Sequence, residues 1–285
     1  MTRAPVDALL IGHVTHDFLP DGVDTIGGTV AYAALTLAAF GLDVGLVTLA
    51  APDFDLARLA DAVQVLRHPA PVTTTFTNLD TPAGRAQYVR AMAPAVLPEH
   101  IPAVWRSAPL VHIGPVVDAR APGLVELFAG RAFVGLTPQG WMRRVDCEGR
   151  VHPQAWADAD ALLPQTSAVV VSLEDLAGDW ARAEAWAAQT PLLVVTEGRR
   201  GGVLFEAGRR VAFRAFPVPE VDTTGAGDIF AAAFFYAVAE GTSPARAATF
   251  AACVAGHSVR RVGLDSVPTR AELLACREEC ERGVK

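Results

Sequence analysis

A three-layer α/β fold, with a mostly parallel central sheet between helical layers and a small β lid, is predicted by three features of the 285-residue sequence. Short β-branched or apolar runs alternate with helical patterns over most of the chain. From Gly225 onward the pattern becomes almost wholly helical. One segment, 72–92, breaks the alternation with two extended runs joined by a turn. Strands that alternate with helices form sheets that run mostly parallel and are covered on both faces.

The first strand pattern is 6–11, apolar except at Asp7. A helical pattern follows at 30–40 and stops at Gly41, and a second strand pattern at 44–49 completes a βαβ unit. Residues 72–78 and 85–92 flank Leu79-Asp80-Thr81-Pro82-Ala83-Gly84, whose Asp, Pro and Gly favour a turn. This hairpin and the region 12–26 are the predicted lid elements, placed over the sheet edge where open α/β folds bind ligands; a surface hairpin without function is the other reading of 72–92. Strand patterns recur at 110–113, 132–136, 169–171 and 192–196, with helices at 122–129 and 175–188 between them. Helices are predicted at 226–240, 244–260 and 270–282. No repeat or long linker divides the chain, so one domain spanning 1–285 is expected.

Apolar residues make up 51% of the chain and charged residues 19%, which excludes disorder. Lys and Arg number 24 against 31 Asp and Glu, a net charge of −7, so a nucleic-acid backbone would meet repulsion. Apolar stretches such as 229–239 end well short of the roughly 20 residues that a membrane-spanning helix needs. No small-residue cleavage site follows the first apolar run, and a cytoplasmic location is expected. The four cysteines make no disulfide framework, and reduced thiols are expected. Cys276 and Cys280 are the only close pair, at a spacing that shares one helical face.

The most informative run is Val221-Asp222-Thr223-Thr224-Gly225-Ala226-Gly227-Asp228, followed at once by Ile229-Phe230-Ala231-Ala232-Ala233. It is a polar, glycine-bearing turn that opens a buried helix. Gly225 and Gly227 let the backbone approach a ligand, and the first amides and the helix dipole favour an anion there. An isolated Asp at such a place reads as a helix cap. Two threonines and two glycines before Asp228 point instead to a carboxylate that takes a proton from a hydroxyl as it attacks a phosphoryl group.

At these residues the sequence resembles the ribokinase-like, or PfkB, family of carbohydrate and nucleoside kinases, whose C-terminal signature Asp222–Asp228 matches without a mismatch. The resemblance implies that Asp228 is the catalytic base and that the amides of Gly225, Ala226 and Gly227 receive the charge of the transferred γ-phosphate of ATP. It extends over most of the chain. Ile11-Gly12-His13-Val14-Thr15-His16-Asp17 resembles the first strand and the loop after it, which makes Asp17 the candidate for binding acceptor hydroxyls. A carboxylate accepts two hydroxyl protons at once, as a vicinal diol requires. Gly27-Gly28-Thr29-Val30-Ala31-Tyr32 resembles the N-terminal signature, with the glycine backbone lying against acceptor; Tyr32 stands where the family often has Asn. Ser172-Leu173-Glu174-Asp175 resembles the Asn-x-x-Glu motif that organises Mg²⁺, so Glu174 and Asp175 are the metal candidates. Thr196-Glu197-Gly198 resembles the nucleotide strand end, and Thr196, Gly198, Thr224, Gly225 and Gly227 are the implied nucleotide contacts. Residues 250–259 resemble the small-residue helix beside adenine. The resemblance also brings a monovalent cation, K⁺, to the Asp222–Thr224 loop.

Gln139-Gly140-Trp141-Met142-Arg143 is similar to a stretch of the myo-inositol kinase-like branch, which assigns Gln139 and Arg143 to a polyol acceptor; bracing of the loop is the other reading. The implied activity is transfer of the ATP γ-phosphate to a hydroxyl of a small sugar or cyclitol. A nucleoside kinase of the same fold and a non-catalytic nucleotide or sugar sensor are the alternatives, separated by an ADP-release assay. A homodimer through an exposed lid face carrying Phe76 and Tyr88 is a further expectation.

Overall fold

The computed structural model describes residues 3–18, 24–81, 84–117 and 122–282. Residues 19–23 and the turn residues Pro82 and Ala83, both within the predicted lid, lie outside the described residues. The strands are β1 (Ala8–Ile11), β2 (Thr15–Phe18), β3 (Asp24–Gly27), β4 (Val44–Ala50), β5 (Gln64–Pro69), β6 (Thr74–Thr81), β7 (Gly84–Ala91), β8 (Leu110–Ile113), β9 (Phe133–Leu136), β10 (Arg143–Val145), β11 (Val151–Pro153), β12 (Ala168–Ser172), β13 (Leu192–Thr196), β14 (Gly202–Glu206) and β15 (Arg209–Phe213). The helices are α1 (Thr29–Ala39), α2 (Ala57–Ala60), α3 (Leu124–Phe128), α4 (Ala159–Leu162), α5 (Trp180–Ala187), α6 (Ala226–Ala239), α7 (Pro244–Ser258) and α8 (Arg270–Arg282).

The main sheet has the order β15-β14-β13-β12-β9-β8-β1-β4-β5. It is parallel from β13 to β5, and β14 and β15 add antiparallel strands at one edge. Alternation along each strand sends side chains to two separate cores. Leu10, Leu46, Val170 and Val194 pack with Tyr32, Phe234 and Val254 of α1, α6 and α7. Leu9, Ile11, Val169, Val171 and Val195 pack on the other face with Trp105, Phe128 and Trp186. Strands buried on both faces read as continuous apolar runs, which is why they are visible in the sequence.

A second, four-stranded sheet has the order β3-β2-β6-β7 and gathers the regions 12–26 and 72–92. Its inner face corrects the expected apolar dimer surface. Phe76 is only 4% exposed and packs within the chain against Val116 and Val117, while Tyr88 is half-buried beneath the Arg90 guanidinium. Strand alternation turns Phe76 and Asn78 inward and Leu79 outward.

Two further differences from the sequence expectation have local causes. The helix expected at 175–188 begins at Trp180, because Ala177 (φ 53°) and Gly178 (φ 78°) take left-handed conformations and Asp179 then caps α5 by accepting the Arg182 amide at 3.0 Å. Instead of free thiols, Cys253 of α7 and Cys276 of α8 form a disulfide with Cα atoms 5.7 Å apart. Helix packing brings together residues 23 apart in sequence, whereas Cys280 and Cys147 remain thiols.

Candidate active site

In the sheet order β1 lies between β4, which follows it after α1, and β8, so the connections diverge there and leave a crevice at the strands' C-terminal ends. The ends of β12 and β13, the start of α6 and the wall of α7 surround a cavity of about 960 Å³. Its polar end is formed by Ser172, Glu174, Thr196, Gly198, Thr223 and Gly227. Its far end is apolar, with Phe216, Phe230, Ala252, Ala255 and Val259. Small residues on α7 make this room: a side chain at Gly256 would press on Phe216. The segment 214–220, absent from the sequence assignments, supplies Phe216, Pro217, Val218 and Pro219 to the wall; its two prolines were the available signal.

At the mouth of α6 the chain turns through Gly225 at φ 78°, where a Cβ would strike the Tyr32 ring. Glycine is required there for both conformation and space. Asp222 braces this turn, its carboxylate accepting the Thr224 amide at 2.9 Å and the Gly263 amide at 3.3 Å. Its Val221 and Asp222 amides donate to the Val259 carbonyl, which ties the turn to the end of α7. The Ala226 amide donates to the Thr223 carbonyl at 3.2 Å. The first amides of α6 otherwise have no partner within the helix, and they border the polar end of the cavity at Gly227.

Asp228 is not the cap of α6, since Gly225 occupies that position and makes no side-chain cap. The residue keeps some exposure, but its carboxyl is enclosed by protein atoms, and loss of water pushes its pKa up to about 6. A hydrogen bond from Thr29 and the charge of Arg143 oppose this shift, while the charges of Asp175 and Asp17 add to it. Such a carboxyl is ionised at neutral pH yet basic enough to take a proton. Thr29, which follows the two glycines, was missed as a contributor. Burial first, then the charges of Asp17, Asp228 and Asp222, holds the Tyr32 phenol well above its ordinary pKa.

Asp17 lies on β2, paired with Thr25 on β3 and Phe76 on β6. Gly27 is held against it so closely that a Cβ would strike the Asp17 Oδ2, and Gly28 at φ 92° lies over the His13 carbonyl. The Gly-Gly pair therefore lets the chain enter α1 beside this carboxylate.

Gln139, Arg143 and Asp175, assigned to different tasks from sequence, meet in one network. Gln139 Nε2 donates to both oxygens of Asp175 at 3.2 and 3.4 Å. Ser172 Oγ donates to Asp175 Oδ2 at 2.6 Å and accepts the Asp175 amide at 2.9 Å. Arg143 Nη2 stands 4.0 Å from Asp175 Oδ1, on the same loop as the buried Trp141. Asp175 thus closes a turn rather than standing in a helix's first turn. Glu174, not Asp175, borders the cavity.

The pfkB family carbohydrate kinase pattern matches residues 146–270. Inositol 3-kinase of Oryza sativa subsp. japonica is 28% identical, across 98% of this chain and 75% of that protein. Fructokinase of Klebsiella pneumoniae is 30% identical, across 78% of this chain and 81% of its own length. A pyrophosphate-dependent kinase in the ribokinase family, solved with a pyrophosphate analog and myo-inositol, superposes with a TM-score of 0.77 at 22% identity and covers 94% of this chain and 99% of its own. With the signature turn at the head of α6 and relatives matched along most of their length, this chain belongs to the pfkB family of carbohydrate kinases, phosphotransferases that act on an alcohol group.

Proposed function

We propose that the chain transfers the γ-phosphoryl group of ATP to a hydroxyl of a cyclitol or sugar, with Asp228 as general base. The observation that carries this reading is the Asp228 carboxyl, with a pKa near 6, one residue past Gly227 at the cavity's polar end and within electrostatic reach of Asp17, Arg143 and Asp175. Asp17 and the backbone of Gly27 and Gly28 hold the acceptor hydroxyls, and Gln139 and Arg143 reach the acceptor from the Asp175 side. Asp228 removes the hydroxyl proton as the oxygen attacks phosphorus. The amides of Gly225, Ala226 and Gly227 and the α6 dipole receive the charge that develops on the transferred group. Thr196, Gly198 and Thr224 contact the donor phosphates or ribose.

The donor assignment rests on the apolar end of the cavity, which suits a nucleobase; pyrophosphate, the donor of the structural neighbour, would leave it unused. A donor of this kind fits a cytoplasmic enzyme. Bound Mg²⁺ would neutralise the shared charge of the β- and γ-phosphates. Glu174 on the cavity wall fits a metal or its waters, whereas both oxygens of Asp175 already accept hydrogen bonds and suit at most an outer role. K⁺ at the Asp222–Thr224 loop would sit beside a carboxylate already engaged by two amides. Equal rates in K⁺ and tetramethylammonium would remove it from the scheme.

A coupled assay over myo-inositol, hexoses, pentoses and nucleosides tests the reading, with ATP or pyrophosphate as donor and Mg²⁺ or EDTA present. ADP release with ATP and a cyclitol or sugar, abolished by EDTA, is the expected result. Turnover confined to nucleosides, or to pyrophosphate as donor, overturns it.

A further inference from the structure

Beside the donor wall, Cys253 and His257 stand one helical turn apart on α7, next to Ala252 and Gly256, and Cys276 faces them from α8. One ligand atom from each of the three lies within 4.8 Å of the others, the only such group among the described residues. The disulfide between Cys253 and Cys276 accounts for two of them. His257 stacks its ring on Phe216, but its Nδ1 is buried and makes no hydrogen bond among the described residues. The nearest carboxylate oxygen, Glu272 Oε1, is 3.6 Å away, and that carboxylate is already engaged by Arg261 and Thr269. The carboxylate of the exposed Glu279 also reaches this cluster, its Oε2 4.0 Å from Cys253 Sγ.

Two thiolates, an imidazole and a carboxylate are a donor set suited to a borderline-soft divalent cation. We propose that, once the disulfide is reduced, Cys253, His257 and Cys276 bind a cation of the Zn²⁺ class, with the Glu279 carboxylate as the fourth donor. Bonds of about 2.0–2.3 Å place tetrahedral ligands roughly 3.5–4 Å apart, a separation close to the 4.8 Å within which the atoms of Cys253, His257 and Cys276 already lie. The covalent bond and the metal are alternatives. A dithiol reductant gives two electrons and two protons to the S–S bond and leaves as its own disulfide; the cation then displaces the two thiol protons. Leu273 and Cys276 are the buried residues of α8, so either tie fixes this helix against α7.

The test uses the full chain, reduced with excess dithiol, freed of it under anaerobic conditions and titrated with Co²⁺ alone. One equivalent should bind with a thiolate-to-cobalt charge-transfer band that Zn²⁺ bleaches, and Zn²⁺ should protect two of the four thiols from a thiol reagent. The oxidised protein should show no such band. Cys276→Ser should abolish it, His257→Ala should weaken Co²⁺ binding at least tenfold, and Cys147→Ser and Cys280→Ser should leave it unchanged. An absent band in the reduced wild type overturns the proposal, as does unchanged affinity in His257→Ala or a band that depends on Cys280 and not on Cys276. The wild-type and His257→Ala titrations decide the matter even if Cys276→Ser does not fold.

Discussion

The cavity proposed for the donor takes its walls from one stretch of the chain, from Ser172 to Val259, while the residues proposed for the acceptor, Asp17, Gly27, Gln139 and Arg143, come from distant segments and a second sheet. The donor wall is continuous with the packed core, since Ala252, Phe230 and Phe213 belong to both. The acceptor side rests on hydrogen bonds and close backbone approach, as at Asp17–Gly27 and Gln139–Asp175. On these assignments donor and acceptor binding should respond independently to substitution, with Asp228, at the proposed junction, answering to both.

The largest expected effect is at that junction. Asp228→Asn should retain donor and acceptor binding but lose about 10²–10⁴-fold in kcat, because the basic oxygen disappears while the shape remains. A variant with half the normal turnover would dissolve the junction into two binding sites with no assigned base. In the wild type, kcat should fall as pH drops through about 6, where Asp228 takes up its proton.

On the acceptor side, Asp17→Ala should weaken acceptor binding by roughly 10–150-fold, equivalent to about 1.5–3 kcal/mol for a charged hydrogen-bond partner, with ATP affinity unchanged. Calorimetry with a confirmed acceptor measures both, and loss of ATP affinity would join the two sides into one coupled site. On the donor side, Ala252→Leu should raise the KM for ATP about tenfold by filling the apolar end, with the acceptor KM unchanged. An unchanged KM for ATP would remove the nucleobase from that end of the cavity.

The remaining effect is on stability and leaves turnover aside. The folded pKa of Asp228 lies above that of an unfolded Asp, so its protonation contributes stability that is fully present below about pH 4 and lost as pH rises through about 6. Asp228→Asn should therefore stabilise the fold by about 1–3 kcal/mol at pH 8 and by little at pH 4. Thermal unfolding at both pH values measures this, and an equal shift at each would assign the change to packing instead.

Legibility in the sequence follows the same division. Strands β1, β4, β8, β12 and β13 stand out because burial on both faces makes them continuously apolar. The turn at Gly225 stands out because one short run carries its backbone needs. By contrast, β10, β11 and β15 are short antiparallel pieces whose mixed composition carries no comparable period. The left-handed residues that delay α5 include Ala177, which gives no signal for that conformation.

The alternation of elements, the buried helix behind a glycine turn and the polar residue types around that turn are all legible along the chain. These depend on neighbours within a few residues, through hydrogen-bond geometry and the periods of strand and helix. Long-range packing joins Asp175 to Gln139 and Arg143, turns Phe76 inward, brings Cys253 to Cys276 and, by enclosure, raises the pKa of Asp228. Each of these depends on which distant atoms exclude water from a group or supply its partner, and chain packing sets that arrangement.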